Sequence, residues 1–343
     1  MRIILFSDLH IKESNLYFLP ILQDEINKLN GDMLIFLGDL FNSVVNPPIV
    51  LNTAKSFLNG INVNKIILIS GNHDQTSSDG VNQIINIFNG GNITTVNLGT
   101  YLKIGNIGFL FLSYSTKQNM SQYISDIQDR IPKITNLCFM HQSLYLKNDP
   151  KLNNFGGLTY DDNLQFWRSF KKIYLGHIHE LYDYANVSYI GSTTINGFND
   201  KMIYNSSEGF IPRKYNLRVL DIENTEIKET IISKDFDTQY LVLDADKYAT
   251  DAIYKQHVDN AMSKYKINLQ VQYSNQIANI ENEIKAITTN SNVISTRLKK
   301  ENKNMIQMKK LSLYNPKDFL ISYINSSNIG NKDKVLKAIS SLI

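Results

Sequence analysis

Five short polar elements, each directly after an apolar strand-like run, constrain this chain more than any other feature. They are Asp8-Leu9-His10, Gly38-Asp39-Leu40-Phe41-Asn42, Gly71-Asn72-His73-Asp74, the isolated His141, and Gly176-His177-Ile178-His179. In an open α/β sheet, sites assemble at the carboxyl ends of the strands. The repeated placement therefore predicts one site fed by several strands. Strand-like runs fall at 2–6, 33–37, 65–70, 108–113, 134–140 and 172–175. Helix-period segments at 15–29, 49–58, 81–88, 121–130 and 161–170 lie between or after them, and Pro47-Pro48 suits the start of the second. This alternation predicts a layered α/β domain.

Asp8 and His10 are two apart, as are His177 and His179. In an extended segment that spacing puts both side chains on one face and turns Leu9 and Ile178 toward the core. The glycines before Asp39, Asn72 and His177 permit tight turns. Five of the six histidines fall in these elements, and the sixth, His257, reads as a helix-surface residue. Imidazoles and carboxylates without thiolates form a borderline-to-hard donor set, suited to Mn²⁺ or Fe²⁺ and tolerant of Zn²⁺. Two such ions about 3.5–4 Å apart clamp the attacking and leaving oxygens of a phosphoester displacement. They need a shared carboxylate, for which Asp39 is the natural candidate. Taken singly the elements say less: Asp-x-His is usually surface chemistry, Gly-Asn-His-Asp a turn, and a histidine beside buried Met140 a core residue. Their joint occurrence after successive strands favours a two-metal site.

From about residue 181 the pattern changes to short strands at 188–191, 214–222 and 226–233, expected to complete a second sheet. A second region begins near 234 and reads strand 240–244, helix 252–265, strand 268–273, helix 276–287, strand 293–298. A basic stretch at 297–310 precedes two amphipathic helix candidates, 316–324 and 332–343. The expected domains are thus 1–233, 234–300 and a basic helical segment 301–343. Residues 291–343 hold ten Lys and Arg against three Asp and Glu, whereas residues 1–290 hold 25 against 29. Basic charge concentrated at one end suggests an acidic partner, such as nucleic acid or an acidic protein face; a solvated helix surface is the competing reading. The single cysteine, Cys138, excludes an internal disulfide and a Cys-rich zinc module, and fits a reducing cytoplasm. No apolar stretch approaches membrane-spanning length, and residues 2–6 read as a strand without a signal-peptide pattern.

Together these residues resemble the calcineurin-like metallophosphoesterase superfamily over roughly residues 1–235. More narrowly they are similar to the SbcD-type DNA repair exonucleases, including recombination endonuclease subunits of tailed phages. The narrower likeness rests on Gly38-Asp39-Leu40-Phe41, on Gly176-His177-Ile178-His179, on Tyr189-Ile190-Gly191-Ser192, and on the length that follows the catalytic domain. The resemblance implies a four-layer α/β/β/α sandwich with a small α+β capping domain and C-terminal helices. It implies one metal held by Asp8, His10, Asp39 and His179, and a second by Asp39, Asn72, His141 and His177. His73 would face the scissile phosphate as a proton donor rather than bind metal. It further implies two Mn²⁺ ions (Mg²⁺, Fe²⁺ or Zn²⁺ being alternatives), exonucleolytic cutting of duplex ends and endonucleolytic cutting of single strands. The implied partners are DNA, an SbcC-type coiled-coil ATPase bound partly through the C-terminal helices, and a second copy of the chain. The implied location is the cytoplasm, or the host cytoplasm for a phage-encoded chain.

One departure stands at Asn42, where some members carry a second catalytic histidine. That leaves His73 as the non-ligand histidine available for proton transfer. Ser/Thr phosphatases carry Asp-Arg-Gly after the bridging aspartate, where this chain has Phe41-Asn42-Ser43-Val44. Purple acid phosphatases need a tyrosine where Asn42 stands. A small-molecule phosphodiesterase would use the same site but leaves about 110 further residues without a role. A DNA-end scaffold with vestigial metals has no need of every ligand.

Overall fold

The computed structural model describes residues 1–77, 82–132, 134–147, 157–197, 200–273 and 287–300. The strands begin β1 (Arg2–Phe6), β2 (Met33–Leu37), β3 (Lys65–Ile69), β4 (Ile93–Val96), β5 (Gly99–Ile104), β6 (Ile107–Leu112) and β7 (Thr135–Met140). They continue β8 (Leu144–Tyr145), β9 (Leu158–Thr159), β10 (Lys172–Leu175), β11 (Leu181–Tyr184) and β12 (Val187–Ile190). A hairpin, β13 (Ile203–Asn205) and β14 (Gly209–Ile211), precedes the long pair β15 (Lys214–Glu223) and β16 (Glu226–Asp235). Helices α1 (Phe18–Lys28), α2 (Pro48–Asn59), α3 (Lys117–Ile127) and α4 (Leu164–Arg168) connect them. Chain contacts divide the protein into Met1–Leu241 and Val242–Ile343.

Two six-stranded sheets make up the first unit, with orders β16-β15-β1-β2-β3-β4 and β11-β12-β10-β7-β6-β5. Each holds a row of four parallel strands: β1-β2-β3-β4, with antiparallel β15 and β16 beside β1, and β12-β10-β7-β6, with antiparallel β11 and β5 at its two edges. Period-two alternation sorts their side chains into three cores. Ile3, Leu5, Ile35, Ile67, Phe109, Phe139 and Tyr174 meet between the sheets. Ile4, Phe6, Leu34 and Phe36 pack outward against Leu22, Ile26, Ala54 and Phe57 of α1 and α2. Cys138, Met140, Ile173 and Leu175 pack outward against Met120 and Ile124 of α3 and Trp167 of α4. Strands covered on both faces need apolar residues at every position, so these runs read as continuous rather than alternating. The result is the α/β/β/α sandwich the resemblance implies.

Two expectations change. The strands expected at 214–222 and 226–233 complete the first sheet, not the second. β15 pairs antiparallel with β1, placing Arg2 opposite Asp221, where the Arg2 Nε–Asp221 Oδ1 pair is 2.8 Å long. Its Leu220 and Ile222 serve the inter-sheet core while Tyr215 and Leu217 face the α1 side, so its alternation matches the faces of β1. The segment at 81–88 forms a short 3-10 helix, Ile84–Phe88, instead of an α-helix.

Beyond Leu241 the described residues form α5 (Ala245–Thr250), α6 (Ala252–Lys264), β18 (Lys266–Tyr273) and β19 (Val293–Lys300). β17 (Thr238–Asp244) heads a three-stranded sheet in the order β17-β18-β19, with β18 and β19 parallel. Asp244 and Asp251 cap the two helices, Asp251 accepting from the N–H groups of Ile253 and Tyr254. His257 stands on α6. The expected helix at 276–287 lies, but for Ile287, outside the described residues, as does the segment 301–343.

Candidate metal centre

Asp8 and His10 follow β1, Asp39 follows β2, Asn72 and His73 follow β3, His141 follows β7, and His177 and His179 follow β10. All of these strands belong to the parallel centres of the two sheets, so their carboxyl ends lie at the same edge of the sandwich. The structure brings all eight residues together there.

The backbone does not reach this arrangement as an extended segment. Asp8, His10, Asp39 and His177 have φ of 54°, 43°, 57° and 79°, in the left-handed region that L-residues avoid. Leu9 and Ile178 are nevertheless buried, because the turn rather than the pleat drives them inward. Four such residues in one site store strain that the surrounding hydrogen bonds must hold. Asp8 N–H donates to the Gly38 carbonyl (2.9 Å) and His10 N–H to the Asp39 carbonyl (2.9 Å). Asp74 accepts from the N–H groups of Phe41 (2.9 Å), Gly71 (2.9 Å) and Leu40 (3.1 Å), fastening the Asp39 turn to the Asn72 turn. Thr194 Oγ1 donates to the Leu9 carbonyl (2.8 Å). Close approach also requires glycine: a Cβ on Gly38, whose φ is +92°, would lie 2.3 Å from His141 Nδ1.

The donor atoms form two groups joined at Asp39. In the first, Asp8 Oδ1 lies 3.7 Å from His179 Nε2 and 3.9 Å from His10 Nε2. In the second, Asn72 Oδ1 lies 3.1 Å from His177 Nδ1 and 3.3 Å from His141 Nε2. Asp39 Oδ2 stands between them, 3.6 Å from His10 Nε2 and 3.4 Å from His141 Nε2. Its other oxygen accepts the His73 N–H (2.9 Å). His10, Asp39 and His73 make a third close group, but His73 is exposed and its Nδ1 donates to the Asn42 carbonyl (2.9 Å).

Electrostatics keep two of the four candidate ligand imidazoles, His10 and His177, in the form that binds cations. His141 is raised, and so is His179, where burial is outweighed by Asp200 and Asp8. Burial lowers His10 to about 3, outweighing Asp39, and burial followed by His141 lowers His177 to about 3. Burial also opposes a charge on His141, yet Asp39, through charge and hydrogen bond, pushes it up to about 9. Burial alone would raise the Asp39 carboxyl; His141 and then His10 hold it well below the usual carboxylate range. Burial raises Asp8 despite its neighbouring histidines.

These residues fit a pair of divalent cations. Among the described residues, neither ring nitrogen of buried His10 has a hydrogen-bond partner, a costly arrangement unless one of them serves as a ligand. His141 Nδ1 donates to the Leu37 carbonyl (2.6 Å), so its Nε2 faces the Asp39 and Asn72 oxygens. A lone pair facing two acceptors is stable only with a proton or a cation among them. The donor set is imidazole, carboxylate and amide oxygen, without sulfur.

An α/β/β/α sandwich with this donor set at its strand ends has the makings of a metal-dependent phosphoesterase. The calcineurin-like phosphoesterase model matches residues 1–189, more than half of the chain, and the chain belongs to that family. The family binds a dinuclear metal site. Similar solved structures include a dimetal phosphatase from Danio rerio, at 9% identity and TM-score 0.44 over 68% of this chain and 96% of that one. The yellow lupin purple acid phosphatase PPD1 is 11% identical at TM-score 0.40, over 69% of this chain and 54% of its own. A Vps29 variant from Entamoeba histolytica is 12% identical at TM-score 0.34, over 68% and 100%. No curated protein sequence matches the chain. No described helix is long and apolar enough to cross a membrane.

Two contributors to the site escape the sequence reading. Asp74 belongs to a recognised element, but spacing gives no sign that its carboxylate gathers three N–H groups. Asp200 lies 21 residues beyond His179 in a polar loop, and only tertiary structure brings it behind that ring.

Proposed function

We propose that this metal-dependent phosphoesterase is a DNA nuclease, cutting duplex ends exonucleolytically and single strands endonucleolytically, with Mn²⁺ as its working ion. The observation that carries the phosphodiester reading is Asp39 Oδ2, placed between two donor groups with His73 exposed beside them. The nucleic-acid reading is supported by the SbcD-like elements and by the basic excess after residue 290.

Two divalent cations, when bound, act as Lewis acids that neutralise phosphate charge and lower the pKa of water. Asp8, His10, Asp39 and His179 would hold one, and Asp39, Asn72, His141 and His177 the other. His73 is set up for proton transfer: with Nδ1–H committed to the Asn42 carbonyl, Nε2 is the atom left to carry a proton to the leaving oxygen. Asp39 Oδ1 fixes the His73 backbone, coupling the proton donor to the cation-holding carboxylate. We further assign the chain an SbcC-type ATPase partner and a homodimeric state.

The test is Mn²⁺-dependent cleavage of end-labelled duplex and single-stranded DNA, with and without the ATPase, beside a generic phosphodiester such as bis(p-nitrophenyl) phosphate. Cleavage of DNA, and inhibition of the generic reaction by DNA, are expected. Turnover of the generic ester that DNA neither competes with nor replaces would point to a small-molecule phosphodiesterase. No turnover at all would leave a scaffold.

A further inference from the structure

We propose that Asp200 is a positioning residue of the metal centre: its carboxylate fixes the tautomer and orientation of His179, so that Nε2 is offered to the cation beside Asp8 and His10. The proposal rests on the reading of those three residues as cation ligands.

His179 has more freedom to turn than His10 or His141. Its side chain is 25% exposed, against 4% for His10 and 0% for His141, so packing alone does not stop the ring from turning. Its Nδ1 lies 2.9 and 3.0 Å from the two Asp200 oxygens. A carboxylate only accepts, so the proton of the neutral ring resides on Nδ1 and the lone pair on Nε2. That Nε2 is the atom 3.7 Å from Asp8 Oδ1. A carboxylate behind a ligating imidazole also makes the ring a stronger donor.

Asp200 is itself built in. It is 4% exposed, its Oδ2 accepts the Asn196 N–H (2.8 Å), and its own N–H donates to the Gly197 carbonyl (3.0 Å). Arg213 Nη2 lies 3.7 Å from Oδ1 and supplies a compensating charge. Arg213 is in turn held through its backbone: its N–H donates to Gln239 Oε1 and its carbonyl accepts from Gln239 Nε2, both at 3.0 Å. A surface aspartate that met the ring by chance would have none of these supports. Asp200 also lies past residue 189, where the family match ends.

The experiment uses the full chain and the variants Asp200→Ala, Asp200→Asn, Asp200→Glu and His179→Ala. Mn²⁺ binding is measured by calorimetry, the thermal midpoint on metal-free protein, and the His179 tautomer by ¹⁵N NMR. One of two Mn²⁺ steps should weaken about 10–100-fold in Asp200→Ala, with the other step and the metal-free midpoint unchanged. The near-isosteric Asp200→Asn keeps the packing but loses the charge, and should weaken the same step. Asp200→Glu should recover part of the loss. In wild type the Nδ1–H tautomer should dominate, and in Asp200→Ala it should give way to a mixture. Wild-type Mn²⁺ affinity in both Asp200→Ala and Asp200→Asn, while His179→Ala weakens binding, would overturn this proposal alone. Wild-type affinity in His179→Ala would instead remove the ligand reading beneath it. Equal weakening of both steps with a lowered midpoint in every Asp200 variant would make Asp200 structural and overturn the positioning role.

Discussion

Asp39 Oδ2 approaches His141 Nε2 to 3.4 Å although the other nitrogen of that ring already donates to the Leu37 carbonyl. The two residues follow strands in different sheets, β2 and β7, so the contact ties the two halves of the sandwich together at the site. It also explains the opposed shifts, with His141 pushed up to about 9 and Asp39 held low. A pair poised in this way exchanges its shared proton for a cation, since metal binding requires deprotonated ligands.

Asp39→Ala should therefore be the most damaging single substitution at the centre. It removes the oxygen shared between the donor groups and leaves neighbouring cations without their common counter-charge. Calorimetry should show loss of both Mn²⁺ steps and turnover should fall to the uncatalysed background. His10→Ala, which touches one group more than the other, should keep one step. Two intact Mn²⁺ steps in Asp39→Ala would mean that Asp39 does not bridge.

His73→Ala should separate chemistry from binding. His73 is exposed, its Nδ1 is engaged by Asn42, and its backbone rather than its ring contacts Asp39. Both Mn²⁺ steps should persist while turnover drops about a hundredfold or more. If one Mn²⁺ step disappeared, the His10–Asp39–His73 group would be a coordination site and the proton donor would lie elsewhere.

How far the sequence carries the structure follows from where its information is local. The runs at 2–6 and 33–37 are strands with those same bounds, because residues buried on both faces leave an unbroken apolar signature. The edge strands Ile93–Val96 and Gly99–Ile104 leave none: Thr94, Thr95, Thr100 and Lys103 are half-buried or exposed, and alternation is lost. The grouping of the site residues is legible from their placement after strands, but their backbone is not. Spacing two apart suits an extended segment, whereas the left-handed φ of Asp8 and His10 is imposed by contacts with the Gly38 and Asp39 carbonyls, some thirty residues away. The pairing of β15 with β1 joins residues more than two hundred positions apart and has no local sign.

Gly38→Ala should injure the centre without replacing a ligand. Its φ of +92° already costs an L-residue roughly 1–3 kcal/mol. The added carbon would also meet His141 Nδ1, Cγ and Cβ at 2.3–2.7 Å, with no flexible side-chain end to yield. Displacing the ring would break its hydrogen bond to Leu37 and spoil the approach of Nε2 to Asp39. Thermal denaturation should show a midpoint lowered by several degrees, at roughly 2–4 °C per kcal/mol for a unit of this size. Mn²⁺ affinity should fall with it. A variant with wild-type midpoint and affinity would show that the turn relaxes freely.

The basic C-terminal segment has a sequence that calls for a partner surface. After Pro316 the apolar residues Phe319, Leu320, Tyr323 and Ile324, then Val335, Leu336, Ile339 and Leu342, recur at helical spacing. Helices with one apolar stripe cannot bury it alone and need their own body or a partner. Ten basic residues against three acidic ones in 291–343 bias that partner toward an acidic surface. With the ATPase as the proposed partner, deleting residues 312–343 should leave Mn²⁺ binding and single-strand nicking in place. ATP-stimulated processing of duplex ends and co-purification of the ATPase should be lost together. Undiminished ATPase affinity in the truncated chain would assign the segment to DNA or to the body. Loss of soluble protein would make the two helices part of the fold itself.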